Sequence, residues 1–176
     1  MATVTHITAS YLRSRIDYDP ETGVFTWKER PVRCRNDKVW NAKYAGRTAG
    51  ATDTKGHIQI KIDRKAYFAH RLAWFLQYGQ WPDGEIDHKN RIRDDNRLIN
   101  LRSATSAQNS ANMKTPETNT SGVRGVRWQQ YGWRAQISVR GKKIHLGMFD
   151  TKEAASEAYR AAADKFHGEF AFKEEA

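Results

Sequence analysis

The chain has a single cysteine, Cys34, which excludes an internal disulfide and the paired-cysteine zinc sites that scaffold some small domains. It reads as an unpaired thiol in a reducing compartment. Histidine supplies no substitute, because the six present (His6, His57, His70, His88, His145 and His167) are too scattered to suggest a structural zinc. No stretch approaches the roughly 18 apolar residues of a spanning helix. The opening Met1-Ala2-Thr3-Val4-Thr5-His6 has no basic region followed by an apolar run. A soluble, cytoplasmic protein without a membrane partner is expected. One further lack is local: from residue 118 to 149 there is no acidic side chain, against six basic ones.

Across 176 residues, 39% are hydrophobic and 11% aromatic, enough for one ordinary domain or two small ones with packed cores. Thirty Lys and Arg against 20 Asp and Glu give a net charge of +10 and a pI near 9.8. That balance favours a polyanion over a neutral small-molecule substrate.

Ile7, Leu12 and Ile16 predict a short amphipathic helix within residues 7–17, and Asp19-Pro20-Glu21-Thr22-Gly23 a turn into the strand-like Val24-Phe25-Thr26-Trp27. Residues 29–50 mix Arg30, Arg33, Arg35, Lys38, Lys43 and Arg47 with Trp40 and Tyr44. This composition suits either a loop contacting nucleic acid or a solvated basic surface. His57 to Ile62 alternates with period two, and Lys65 to Phe68 returns as its hairpin partner across Asp63-Arg64. A helix follows from His70 to Tyr78, with Leu72, Ala73, Phe75 and Leu76 on a broad apolar face and Gly79 as its stop. The polar, Pro-containing stretch between Met113 and Ser121 reads as a linker. Beyond it, Val123–Arg127, Trp133–Val139 and Lys142–Leu146 are strand candidates. A helix starts after Asp150, which pairs with Glu153 as a capping box, and carries Ala155, Ala158, Tyr159, Ala162 and Phe166 on one face up to Gly168. The expected division is an N-terminal α/β extension over 1–55, a catalytic core over 56–113, a linker over 114–120 and a second domain over 121–172.

The most informative segment is 85–109. Asp87-His88 is followed by Asn100, twelve residues after the histidine, and by Asn109, nine further on. Taken singly, Asp-His is usually a surface pair, and Asn96, Asn100 and Asn109 are turn or cap residues. Together they offer the parts of phosphodiester hydrolysis, which needs an activated water and charge stabilisation on the phosphoryl oxygens. Asp87 presents the hard oxygen that Mg²⁺ demands, and one or two protein oxygens are enough for that ion. His88, with an ordinary pKa near 6.5, suits a general base. Thr105-Ser106-Ala107-Gln108 is a capping box that puts Asn109 in the first turn of a helix, where its carboxamide can complete the metal site. Asn100 can hold the His88 strand by bonding backbone groups. His70 is a second imidazole, though at a helix start a capping or packing role is the commoner one. Arg97 and Arg102 lie nearest the motif as phosphate clamps.

This order and spacing, with Leu101-Arg102 after Asn100 and His70-Arg71-Leu72 before the motif, closely resembles the His-Asn-His (HNH) endonucleases in the variant of phage and intron homing enzymes. The resemblance covers about residues 56–113 and implies a ββα-metal core in which Asp87 and Asn109 bind the metal, His88 is the base and Asn100 is structural. Asp and Asn stand where the name-giving form has histidines, which favours Mg²⁺, with Mn²⁺ as substitute, over a softer transition metal.

In the second domain, Gly122-Val123-Arg124-Gly125-Val126-Arg127, Gly132-Trp133 and Ile144-His145-Leu146-Gly147-Met148-Phe149-Asp150-Thr151 with the Ala-rich helix resemble the DNA-binding domain of the plant APETALA and ethylene-response-factor family, over about residues 119–172. That resemblance implies a three-stranded antiparallel sheet packed on one helix, the sheet lying in the major groove of double-stranded DNA. By position it gives DNA contacts to Arg124, Arg127, Gln129, Tyr131, Gln136, Ser138, Lys143 and His145; the basic Arg134 and Arg140 of the same stretch are further candidates. Trp133, Phe149, Tyr159 and Phe166 read as core, because a sheet packed on one helix needs aromatic volume. The fold class expected is α+β. The function expected is a homing-type DNA endonuclease, a monomer or weak homodimer acting in a phage-infected host. A DNA-binding regulator with an inactive core is the alternative, and an RNA nuclease fits the sheet reader less well.

Overall fold

The computed structural model describes residues 7–116 and 118–172, which fall into two compact units divided between Ser103 and Ala104. Among the described residues there are five α-helices and several small sheets, and no helix is long and apolar enough to cross a membrane.

In the first unit, α1 (Ala9–Arg13) leads into β1 (Ile16–Tyr18) and β2 (Phe25–Trp27), an antiparallel pair with Tyr18 opposite Phe25. The basic stretch that sequence left undecided contains an exposed helix, α2 (Arg35–Tyr44). Trp40 within it is spent on packing: the Arg30 guanidinium lies 3.5 Å over its ring and Trp27 meets it edge-on at 5.5 Å. Next come β3 (Ala51–Thr52), β4 (Ile58–Ile62) and β5 (Lys65–Phe68) in one antiparallel sheet. Asp63 and Arg64 both take positive φ, 48° and 67°, as a two-residue hairpin turn matched to strand twist requires. The alternation of β4 buries Ile60 and Ile62 against α3 (Ala69–Tyr78), whose face of Ala69, His70, Leu72, Ala73, Phe75 and Leu76 is buried. Gly79 ends that helix at φ 74°, the left-handed stop that glycine accepts without steric cost.

The strands β6 (Glu85–His88) and β7 (Leu101–Ala104) pair in a further sheet. Ile86 and Leu101 from this pair sit in one hydrophobic cluster with Ile60, Leu72 and Phe75, and also with Leu12, Ile16, Phe25 and Ala49. The segment before residue 56 therefore builds the same core as the residues that follow it.

The second unit begins with α4 (Ser106–Asn112), capped as expected: Thr105 Oγ1 accepts from the Gln108 N–H and Thr105 N–H donates to Gln108 Oε1. The unit boundary thus places α4 with the C-terminal residues, ahead of the 114–120 stretch. Within that stretch, Asn119 receives the Ser121 N–H and hydroxyl and donates to the Val123 carbonyl, tying down the entry to the sheet; Glu117 lies outside the described residues. β8 (Val126–Gln129), β9 (Gly132–Val139) and β10 (Lys142–Phe149) form an antiparallel sheet in the order β10-β9-β8. The first strand starts three residues later than the alternation suggested, because Gly125, at φ 70°, is pressed against the Gln136 carbonyl and the Tyr159 ring. Val126, Ala135 and Ile137 bury against α5 (Lys152–His167) through Ala155, Ala162 and Ala163. Two details correct the sequence reading. The N-cap is Thr151, whose hydroxyl accepts from the Ala154 N–H, so Asp150 stands one residue too early. Phe166 is 41% exposed, and the buried aromatic at this end is Phe170, brought inward by the 3-10 turn Gly168–Phe170.

Candidate active site and sheet face

Strand β6 carries the carboxylate and imidazole in succession, and both are buried, Asp87 at 4% exposure and His88 at 5%. A buried carboxylate needs a partner, and β7 supplies it. Arg102, itself largely enclosed, donates from Nε (2.8 Å) and a terminal nitrogen (2.7 Å) to the same oxygen, Oδ2 of Asp87. Arg102, expected from sequence as a phosphate clamp, is thus the ion-pair partner of the carboxylate. No residue-level signal marked that pairing, which arises from the strands coming side by side.

His88 lies in an aromatic pocket. The His70 ring stands edge-on to it at 5.1 Å, and His57 lies 6.0 Å away. Burial pushes the His88 pKa down, against an opposing effect of the Asn96 side chain. Burial likewise lowers His57 and takes His70 down to about 3, with His88 and His57 adding to the shift. All three imidazoles are therefore neutral near pH 7, the form in which a ring nitrogen can accept a proton.

The 89–97 loop is closed by carboxamides. Asn100, at 5% exposure, accepts the Asn90 N–H on Oδ1 (3.0 Å) and donates Nδ2 to the Asp95 carbonyl (2.9 Å). Its own carbonyl takes the Lys89 N–H. Asp95 receives Asn90 Nδ2 and a two-pronged grip from Arg97, which holds its pKa at about 2. Arg97 is therefore spent on Asp95 much as Arg102 is on Asp87.

The loop also leans on a part of the chain that sequence did not associate with it. Tyr18 donates its hydroxyl to the Asn96 carbonyl (2.8 Å), and the Leu98 N–H donates to the Pro20 carbonyl (3.0 Å). Gly23 packs so closely that a Cβ there would lie 2.5 Å from the Arg97 nitrogen. The Asp19–Gly23 turn was legible; its role as a wall of the loop had no local signal. Arg71 likewise ties α3 to the approach to β6 by donating to the Gly84 and Pro82 carbonyls. The structure thus brings Asp87, His88, Asn96, Asn100 and Arg102 together in the first unit, while Asn109 stands on α4 of the second.

On the second unit's sheet, strand alternation turns Arg127, Gln129, Arg134, Gln136, Ser138, Lys143 and His145 to the face away from α5. Their registers are Arg127 opposite Arg134, Gln136 opposite His145 and Ser138 opposite Lys143. Gln129, Tyr131, Arg134 and His145 rim a shallow depression of about 360 Å³. Tyr131 is almost wholly exposed at one turn and Arg140 sits at the other with φ 49°. Arg124 is placed differently: its guanidinium donates to the carbonyls of Ser110 (2.6 Å), Ala111 (3.2 Å) and Met113 (2.7 Å).

Comparison with known proteins bears on the first of these sites. Residues 67–111 match the family model described as HNH endonuclease. The chain is 36% identical over 110 residues to Protein 3.8 of Escherichia phage T7, covering 61% of this chain and 90% of that protein. It is 34% identical over 119 residues to an uncharacterized HNH endonuclease of Acanthamoeba polyphaga mimivirus, covering 66% of this chain and 62% of that one. No solved structure matches the chain significantly.

Proposed function

The chain belongs to the HNH endonuclease family, and from that premise we propose that it is a Mg²⁺-dependent, homing-type DNA endonuclease whose C-terminal sheet reads duplex DNA. The observation that carries the reading is the buried pair on β6, a carboxylate fixed by Arg102 beside an imidazole held neutral by burial.

The donor set suits a hard ion. Among the described residues no group of three or more His, Cys, Asp or Glu side chains could hold a metal, which argues against a closed cage. Mg²⁺ needs only one or two protein oxygens, because water and substrate phosphate complete its shell. Asp87 would provide the carboxylate, and the spacing of the motif assigns the carboxamide to Asn109. When bound, the ion supplies charge neutralisation at the phosphate under attack. His88 takes the proton of the attacking water as its oxygen bonds to phosphorus, and the 3′ oxygen leaves with the electron pair of the broken bond and takes a proton from solvent. Asn100 keeps the loop in place through that step, and the His57 and His70 rings pack beside that of His88.

For the reader, support comes from the charge on the open face. Arg127 and Arg134 stand directly opposite each other across β8 and β9, an arrangement that costs stability unless an anion lies over it. With Gln129, Gln136, Ser138, Lys143 and His145 beside them, and Tyr131 and Arg140 at the turns, the face offers donors both for phosphate and for base edges. Like the plant family it resembles, it would lie in the major groove.

A supercoiled plasmid library carrying random inserts tests the reading. With Mg²⁺ the chain should convert circles to the nicked form, the nicks mapping to a recurrent sequence, and EDTA should leave the DNA intact. Binding to a recurrent site without any nicking would instead favour a regulator with an inactive core.

A further inference from the structure

The resemblance in the second unit assigns Arg124 to DNA, yet its guanidinium is directed elsewhere. Both terminal nitrogens are used, on the carbonyls of Ser110, Ala111 and Met113. These carbonyls belong to the C-terminal end of α4, a helix of seven residues, where, among the described residues, the only backbone donor to the Ser110 carbonyl is the Met113 N–H, at 3.4 Å, and the helix dipole favours a cation. No basic residue of α4's own last turn does this work. The helix also lacks broad packing: only Ala111 and Asn112 of it are buried. A groove of about 710 Å³ runs along it, lined by Gln108, Ser110, Arg124, Gln136, Arg140 and His167. Arg124 spans that groove from the glycine-flanked segment that enters β8, a segment itself fixed by Gly125 against Tyr159.

We infer that Arg124 is a positioning residue for cleavage: it braces the C-terminal end of α4, holds Asn109 in place, and so links the sheet that reads DNA to a residue of the nuclease motif. This rests on the reading of Asn109 as a metal ligand given above. It makes Arg124 a residue of the nuclease machinery that happens to be carried by the reader's sequence.

The test compares full-length Arg124→Ala, Arg124→Gln and Arg127→Ala with the wild type. Duplex affinity and its salt slope are measured in EDTA, Mn²⁺ binding to the protein–DNA complex is measured by calorimetry, and cleavage is measured against Mg²⁺ concentration. A short helix that has lost its charged cap should bind the ion about tenfold more weakly, the loss expected for hydrogen bonds to a charged group. Thus Arg124→Ala should leave affinity and salt slope within about twofold of wild type, raise the half-saturating Mg²⁺ and weaken Mn²⁺ binding about tenfold. Arg124→Gln, which keeps a donor, should recover part of that loss. Arg127→Ala should show the reverse pattern, with DNA affinity reduced and metal dependence unchanged. If Arg124→Ala lowers the salt slope by about one unit with normal metal dependence, Arg124 contacts phosphate and the inference is overturned. Should Arg124→Ala fail to fold, Arg124→Gln decides by the same two readouts. A wild-type protein that neither cuts DNA nor binds Mn²⁺ would instead overturn the nuclease reading on which the inference stands.

Discussion

In the first unit Asp87, His88, Asn96 and Asn100 are each exposed by 5% or less, with an arginine holding the carboxylate and backbone groups holding the Asn100 carboxamide. In the second, most polar side chains of the sheet are exposed, and Arg127 stands opposite Arg134. Burial makes every member of the first set answerable to its neighbours, since a polar group without a partner is costly there. Exposure leaves the second set free to change with little effect on folding. One region should thus tolerate almost no substitution, and the other should exchange residues with little loss of stability.

The largest test of that contrast is His88→Ala. Cleavage should fall about 10²- to 10⁴-fold, as loss of a general base does, while duplex affinity measured in EDTA stays near the wild-type value. An affinity loss of comparable size would break the contrast by making the buried cluster a binding site. Next comes the ion pair. Asp87→Leu leaves the Arg102 guanidinium enclosed without its carboxylate and should cost about 3–5 kcal/mol of stability in urea unfolding. Adding Arg102→Met should restore most of that stability without restoring cleavage. If the single variant is as stable as wild type, the pair is not a buried one.

Asn100→Ala removes the acceptor of the Asn90 N–H and the donor to the Asp95 carbonyl, and should lower stability by about 1–3 kcal/mol. On the open sheet the outcome should invert. Arg127→Ala relieves the like-charge pair with Arg134, so its urea midpoint should hold or rise slightly, and about 1–3 kcal/mol should be lost only from binding the recognised sequence. A destabilised Arg127→Ala protein would show that this face is packed. The smallest effect is a pH dependence. Unfolded His70 takes up a proton near 6.5, whereas the folded chain resists until about 3. Its contribution is therefore intact above 6.5 and lost progressively as the pH falls toward 3. His70→Gln should flatten the acidic limb of stability against pH.

How much of this was legible in the sequence depended on whether the cause was local. The β4–β5 hairpin showed itself through strict alternation around Asp63-Arg64, α3 through its apolar face and Gly79, and α4 through its Thr105–Gln108 box. The motif residues could be named from spacing, because a strand, a loop and a second strand of fixed length carry them. Helix α2 went unread, having no buried residue and hence no apolar period. The partners of the motif were equally hidden. Arg102 and Asp87 are fifteen residues apart and meet only through strand pairing, and Tyr18 reaches Asn96 across 78 residues. The carbonyl partners of Arg124 had no sequence signal either, because position within a resembling motif says which residue type stands there, not where its guanidinium goes. The domain limits drawn from composition followed the polar stretch 114–120, whereas packing puts α4 with the residues after it.

The fit of Gly23 against the Asn96–Arg97 peptide carries a consequence for how such a chain can be recombined. A gene segment beginning at the hairpin of β4 would encode every residue of the recognisable motif, yet it would lack the surface on which the motif's loop is moulded and the oil that Leu12, Ile16, Phe25 and Ala49 contribute to its interior. Shuffling events that preserve function are therefore expected to carry the first fifty residues along as hitchhikers, whatever their own sequence advertises, and side chains larger than hydrogen at position 23 should be filtered out of every lineage that still cuts.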